Sequence, residues 1–175
     1  MPAPQNILAL DVATKTGFAW SDGERIEHGL WDLSASGSEH DGRRLMRFED
    51  RLYEAIERWP IELIAFEELM MGSKGMIAAM QRSQLRGVLM LVAAKNEIAV
   101  RPCHISSVKV FATDKGNASK PEMIHAARVK LGVDVTNDNI ADALWVLKYA
   151  QADVAEAEKR VKSRRAVKEK QDTLF

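Results

Sequence analysis

The chain has 175 residues, close to the commonest size of one domain, and its hydrophobic content of 46% is ample for a single core. Its one cysteine, Cys103, excludes an internal disulfide framework and a cysteine-based zinc site. The first residues, MPAPQ, lack the features of a secretion signal, and no apolar run approaches the roughly 20 residues of a membrane span. We therefore expect a cytoplasmic protein without a membrane partner.

The formal charges sum to zero, but they are unevenly distributed. Residues 1–71 carry 7 Lys and Arg against 14 Asp and Glu, whereas residues 72–130 carry 10 against 3. A local basic surface is what phosphate binding requires, whatever the net charge. Because an ordinary solvated helix face has the same composition, charge alone leaves nucleic-acid binding open.

The chain opens with a pattern typical of three antiparallel strands. Ile7 to Leu10 form an almost continuous apolar run, as in a strand buried on both faces. A polar turn over 14–17 precedes a second extended run, Phe18 to Trp20, which predicts a hairpin. Alternation over Arg25 to Leu33 predicts the third strand.

Asp11 stands at the end of the first buried strand. A charge there is costly unless it is paired or binds a metal. The alternative is a turn aspartate whose side chain caps Thr14 or Gly17.

The rest of the chain alternates predicted helices and strands. Apolar positions three and four residues apart indicate helices, and short apolar runs indicate strands. We predict a helix over 43–59, a strand over Ile61–Glu68, a long helix over Met76–Asn96, a strand over Glu97–Arg101, a short helix over Ile105–Ala112, a helix from Ser119 to about Leu131 and a final helix from Asp138 to Ala150 or beyond.

This order predicts an α/β fold with a mixed five-stranded sheet, three antiparallel strands and then parallel strands, with helices on both faces. The predicted domain covers residues 1–150. Residues 151–175 form a charged C-terminal helix or tail that ends in QDTLF.

Acidic residues from three separate segments could meet in space. Asp11 follows the first strand, Glu67 ends the fourth, and Asp142 lies in the final helix, four residues after Asp138. Gathered carboxylates repel one another unless a cation neutralises them. Oxygen ligands select Mg²⁺ or Mn²⁺, and two such ions about 4 Å apart can promote phosphodiester hydrolysis.

These segments resemble the RuvC-like Holliday junction resolvases of the RNase H-like superfamily, especially the bacteriophage-type members. LALDVATKTG, IAFEE and DNIADALW are similar to the segments that carry the family's acids. QRSQLRGVL is similar to its long helix, and SSVKVFATDKGNASKPEMI to its basic segment. The resemblance covers Ile7 to Tyr149. It implies an RNase H-like fold and a homodimeric, Mg²⁺-dependent endonuclease that cuts four-way junctions by paired nicks, with the long helix as the interface.

The resemblance also implies a metal site. Asp11, Glu67 and Asp142 would be ligands, with Mg²⁺ as the ion and Mn²⁺ as a substitute. The family usually has an acid or histidine three residues before the last aspartate, and here that position is Asn139. We therefore take Asp138 as the fourth ligand and keep Asn139 as an alternative neutral ligand.

Two lysines match basic positions of the family near the scissile phosphate. Lys109 and Lys120 would offset charge that develops on the phosphoryl oxygens. The alternative for each is an ordinary surface lysine. Many relatives have an aromatic wedge after the second acid, where this chain has Leu69, Met70 and Met71.

Other functions stay open at this point. One is a nuclease for a different branched or RNA-containing substrate, and another is a junction-binding protein without catalysis. A third is an actin-like nucleotide-binding module, since LDVATKTG also resembles the phosphate loop of sugar kinases, although a second such loop and a glycine-rich adenosine segment are missing.

The last five residues, QDTLF, are similar to the short Gln-x-x-Leu-Phe peptides that dock on the bacterial sliding clamp. That similarity implies clamp binding through Gln171, Leu174 and Phe175, in a bacterial or phage-infected cell. The alternative is that Leu174 and Phe175 fold back on the core of the domain.

Overall fold

The computed structural model describes residues 4–34, 42–68 and 75–172. The strands are β1 (Ile7–Asp11), β2 (Lys15–Ser21), β3 (Ile26–Asp32), β4 (Leu63–Glu68) and β5 (Ala99–His104). The helices are α1 (Gly42–Arg58), α2 (Met76–Lys95), α3 (Ile105–Thr113), α4 (Lys120–Leu131) and α5 (Asp138–Asp172). Within these ranges the elements follow the predicted order, although β5 extends three residues further than expected.

The strands form one five-stranded sheet in the order β3-β2-β1-β4-β5. β1, β2 and β3 are antiparallel neighbours, whereas β1, β4 and β5 run parallel. The predicted mixed sheet is therefore confirmed. Because β1 lies in the centre, apolar residues are required on both of its faces, and all four residues before Asp11 are buried.

Alternation along the strands divides the core into two clusters. Ile7, Ala9, Leu63 and Ala65 belong to the cluster under α3, α4 and α5. Leu8 and Ile64, the residues between them, belong to the cluster under α1 and α2. Since successive side chains point to opposite faces of a strand, the next positions on the α5 side are those of Asp11 and Glu67.

α5 provides much of the first cluster. Its apolar positions between residues 141 and 150 are almost fully buried, and exposed charged residues follow. The helix continues to Asp172 without a break at the expected boundary at residue 150. The capping box that we predicted at Ser119 and Glu122 is present at the start of α4.

Two predictions concern residues beyond the described ranges. Leu69 to Met71, the segment in place of an aromatic wedge, lie outside them, and so do Leu174 and Phe175 of the clamp peptide. Among the helices of the described ranges, none combines the length and the apolar character needed to cross a membrane.

Candidate active site

The parallel pairing of β1 and β4 brings two acids to one edge of the sheet. Leu10 is paired with Phe66, so Asp11 and Glu67 follow directly on neighbouring strands and on the same face. Burial raises the pKa of Asp11 well above its usual value, and the nearby charge of Glu67 raises it further. Burial also raises the pKa of Glu67. These strand ends hold two partly desolvated carboxylates side by side.

The third acid comes from α5. Asp142 lies one turn into the helix and is half-buried against the same face of the sheet. Its pKa is raised to about 6, first by burial and then by the charge of Glu67. The charge of Asp142 in turn raises the pKa of Asp11. Asp11, Glu67 and Asp142, from three separate elements, therefore share one electrostatic environment.

Asp138 is near this group but has a partner of its own. The ammonium group of Lys120 donates a hydrogen bond to its carboxylate, which lowers the pKa of Asp138 and raises that of Lys120. The charge of Asp138 still raises the pKa of Asp142. The structure thus brings Asp138 and Lys120 to the edge of the site as an ion pair.

Asn139 has a different contact. Its side-chain nitrogen Nδ2 donates a hydrogen bond to the carbonyl oxygen of Lys15, at 2.8 Å. Lys15 is the first residue of β2, so this bond connects α5 to the β1–β2 hairpin.

The turn between β1 and β2 bears on the alternative role of Asp11. The hydroxyl of Thr16 donates to the carbonyl oxygen of Ala13, at 2.6 Å, and accepts from the amide nitrogen of the same residue, at 3.3 Å. Thr16 is fully buried. This threonine closes the turn, whereas the charges of Glu67 and Asp142 act on Asp11 and raise its pKa.

Two cations lie close to the three acids. Lys109, on α3, lowers the pKa values of Glu67 and Asp142 by its charge. Arg82, on α2, does the same for Asp11 and Glu67. The sequence predicts Lys109 near the acids but gives no such prediction for Arg82.

The position of Arg82 has a simple structural basis. One turn further along α2, the guanidinium of Arg86 lies 5.3 Å from the ring centre of Phe66, the residue before Glu67. Because α2 runs antiparallel to β4, Arg82 is a turn closer to the strand ends. The spacing of four between the two arginines in QRSQLRGVL was the signal that could have indicated a shared face.

The oxygen atoms of these acids are suitable ligands for a hard cation, although the side chains are not close enough together to hold one as they stand. In the described part of the chain, no group of three or more His, Cys, Asp or Glu side chains is arranged to hold a metal ion. Burial nevertheless raises the pKa values of Asp11, Glu67 and Asp142, and the charge of Glu67 raises those of the other two further. The three acids come from two neighbouring strand ends and from α5, and carboxylate side chains there can rotate toward a shared cation. An oxygen-only set of this kind fits Mg²⁺ or Mn²⁺.

Comparisons with known proteins show which family the chain is similar to. The family model described as crossover junction endodeoxyribonuclease RuvC matches residues 14–148. The crossover junction endodeoxyribonuclease RuvC of Ruegeria pomeroyi is 28% identical over 144 residues, covering 80% of this chain and 87% of that protein. Its counterpart from Cereibacter sphaeroides is 29% identical over 125 residues, covering 71% and 74%.

A solved structure has the same fold. Thermus thermophilus RuvC in complex with Holliday junction substrate is similar with a TM-score of 0.65 and 21% sequence identity. The similarity covers 81% of this chain and 90% of that one.

Proposed function

This chain belongs to the RuvC family of crossover junction endodeoxyribonucleases, and on that premise we propose that it resolves four-way DNA junctions by metal-dependent hydrolysis of paired phosphodiester bonds. The observation that carries the proposal is the meeting of Asp11, Glu67 and Asp142 in one desolvated environment. Three desolvated carboxylates are an unfavourable arrangement unless a cation joins them. The family match supports this function over the actin-like alternative.

We assign the cation to these acids. Asp11, Glu67 and Asp142 would hold it, and we propose Mg²⁺ as the ion, with Mn²⁺ able to replace it. When bound, the metal supplies Lewis acidity for the phosphoryl oxygens and lowers the pKa of water. Asp138 would join as a fourth ligand by exchanging the ammonium group of Lys120 for the cation.

Two lysines would act on the phosphate. Lys109, half-buried beside Glu67 and Asp142, would stabilise the charge that develops on the phosphoryl oxygens. Lys120 is exposed and can turn from Asp138 toward a phosphate. Both would stabilise negative charge without giving up a proton.

Paired nicks need two active sites, so we propose a homodimer. α2 has exposed apolar side chains, and an added Cβ at its Gly87 would meet no neighbouring atom within 4 Å, so this helix face is open to a second helix. The exposed apolar residues of α2 are Met76, Ile77, Met80, Met90 and Leu91. A second copy of the chain would cover them.

We further propose that QDTLF binds the bacterial sliding clamp through Gln171, Leu174 and Phe175. Leucine and phenylalanine would be the apolar anchors and glutamine the polar one. The charged part of α5 that precedes the peptide would serve as its tether. A clamp partner would place the enzyme on DNA, in the cytoplasm of a bacterial or phage-infected cell.

The test is cleavage of a labelled four-way junction, a replication fork and an RNA–DNA hybrid, with and without Mg²⁺. Wild-type protein should cut the junction in a Mg²⁺-dependent manner. Asp11→Asn, Glu67→Gln and Asp142→Asn should each lower the cleavage rate by roughly 1000-fold, since loss of the cation removes several kcal/mol of transition-state stabilisation.

A matched control is Asp114→Asn, which removes an exposed carboxylate on another part of the surface. It should cut normally. Junction binding, measured in Ca²⁺, should survive in all four variants. Near-normal cutting by one of the three site variants would remove that residue from the site, and cutting of only the hybrid would favour an RNA-containing substrate.

A further inference from the structure

The first turn of α5 touches the β1–β2 hairpin more closely than side-chain packing allows. A Cβ atom added at Gly17 would lie 1.9 Å from the carbonyl oxygen of Asn139 and 2.3 Å from its carbonyl carbon. Contacts this short exclude any side chain at Gly17. The glycine therefore lets the backbone of α5 rest directly on β2.

A hydrogen bond fixes the same contact from the other side. The side-chain nitrogen Nδ2 of Asn139 donates to the carbonyl oxygen of Lys15, at 2.8 Å. A carbonyl oxygen needs a donor, and an aspartate in place of Asn139 would offer it only acceptors. The amide is thus the group that suits this contact.

The contact adjoins two acids of the proposed metal site. Gly17 is paired with Asp11 in the register of the hairpin. Asn139 lies three residues before Asp142, so the two side chains stand on one side of α5. Whatever fixes Asn139 against the hairpin also fixes the distance between Asp11 and Asp142.

A neighbouring asparagine serves only the helix itself. The side-chain oxygen Oδ1 of Asn137 accepts a hydrogen bond from the backbone nitrogen of Ile140, at 3.2 Å. This is the contact of a residue that caps a helix N-terminus. Asn137 and Asn139 are therefore two chemically equal side chains in one turn with different partners.

We propose that Asn139 is a positioning residue, whose amide clamps α5 to Lys15 above Gly17 and so sets Asp142 opposite Asp11. The inference rests on the proposed function of these acids. In this arrangement a neutral hydrogen-bond donor, and not a metal ligand, holds α5 in place beside the acids. Asn139 then acts through Asp142 and does not itself hold the cation.

The test is Mn²⁺ binding to the free protein, measured by titration calorimetry without DNA. Asn139→Ala and Asn139→Asp should both weaken Mn²⁺ binding by roughly 10-fold or more, as is typical when a group that orients metal ligands is lost. Gly17→Ala should have the same effect if it folds. Asn137→Ala is the matched control, and it should lower the melting temperature but leave Mn²⁺ affinity unchanged.

Asn139→Asp gives the sharpest result because the two roles predict opposite signs. Tighter Mn²⁺ binding by this variant would show that residue 139 is a ligand and would refute the positioning role of Asn139. Unchanged Mn²⁺ binding by Asn139→Ala would also refute that role. In junction cleavage, the positioning role predicts that Asn139→Ala and Asn139→Asp need a higher Mg²⁺ concentration for half-maximal cleavage. Their cleavage rates at saturating Mg²⁺ should be nearly normal.

The two proposals can fail separately. If wild-type protein binds Mn²⁺ but cuts no junction, the proposed function is refuted. The positioning role of Asn139 is then still tested by Mn²⁺ binding to the Asn139 variants. Wild-type protein that binds no Mn²⁺ refutes both.

Discussion

The ammonium group of Lys120, at the start of α4, donates a hydrogen bond to the carboxylate of Asp138, the first residue of α5. Each is therefore the other's partner, although both were predicted to serve the reaction separately. A cation at Asp138 would release Lys120, and a phosphate at Lys120 would release Asp138. In the proposed function, the pair would link metal binding to phosphate binding through a single exchange of partners.

This relationship predicts strong coupling between the two residues. Lys120→Ala should lower the cleavage rate roughly 10- to 100-fold, as expected for loss of one group that stabilises developing charge. Asp138→Asn should cost much less in the Lys120→Ala background than in the wild-type background, because the two effects share one interaction. A double-mutant cycle of cleavage rates measures this. An equal cost in both backgrounds would mean that Asp138 acts independently of Lys120.

The raised pKa of Asp142 predicts how stability depends on pH without metal. The ordinary pKa is 3.8 and the folded-state value is about 6, so between these values the folded state holds a proton that the unfolded state has lost. The contribution of Asp142 to the free energy of unfolding should therefore fall as pH rises through this window, by on the order of 3 kcal/mol, and then level off. Urea unfolding from pH 4 to 8 measures the change.

Asp142→Asn removes this titration and provides the control. The variant should lose less stability over the same pH range, and at pH 8 it should be more stable than the metal-free wild type. Added Mg²⁺ should stabilise the wild type more than the variant. Parallel curves for the two proteins would contradict the assignment of a desolvated carboxylate at this position.

Arg82 should affect the pH dependence of cleavage. Its charge lowers the pKa values of Asp11 and Glu67, so Arg82→Gln should raise both. Because the acids must be ionised to hold a cation, the acidic limb of the pH–rate profile should move to higher pH. Lys95→Gln removes an equal charge at the other end of α2, beside Glu49, and should leave that limb in place. Coinciding profiles for Arg82→Gln and wild type would exclude Arg82 from the site.

The exposed face of α2 predicts the effect of charge on dimerisation. Met80 and Leu91 are 58% and 53% exposed, and their spacing of eleven residues places both on one side of the helix. The double variant Met80→Glu, Leu91→Glu should sediment as a monomer and lose paired nicking. Val129→Glu, at an apolar position on α4 that is 68% exposed, should remain like the wild type. Dimers of the double variant would place the interface elsewhere.

Clamp binding is tested by deleting residues 171–175. The shortened chain should fail to bind purified bacterial sliding clamp in a titration, because both apolar anchors are gone. It should still cut free junctions at the normal rate. Equal clamp binding by the shortened chain would refute the proposal, and a lower melting temperature would indicate that the peptide packs on the core instead.

The sequence by itself determined the order of the elements, and it predicts the acids of the proposed site. The apolar run before Asp11 and the run that ends in Glu67 can be buried only as central strands, and Ser119 with Glu122 marks the start of α4. The resemblance then assigned Asp11, Glu67 and Asp142. These features depend on neighbours within a few residues, so local patterns are enough to reveal them.

Only the tertiary structure decided which polar groups meet. Three contacts join residues that are far apart in the sequence. They are the ion pair of Lys120 with Asp138, the electrostatic interaction of Arg82 with Asp11, and the hydrogen bond from Asn139 to Lys15. Each depends on sheet register or on how a helix docks, because a shift of one residue in a strand reverses the face of every side chain. Gly17 shows this most clearly: in the sequence it is an ordinary turn residue, and in the fold it is the point where α5 rests on the sheet.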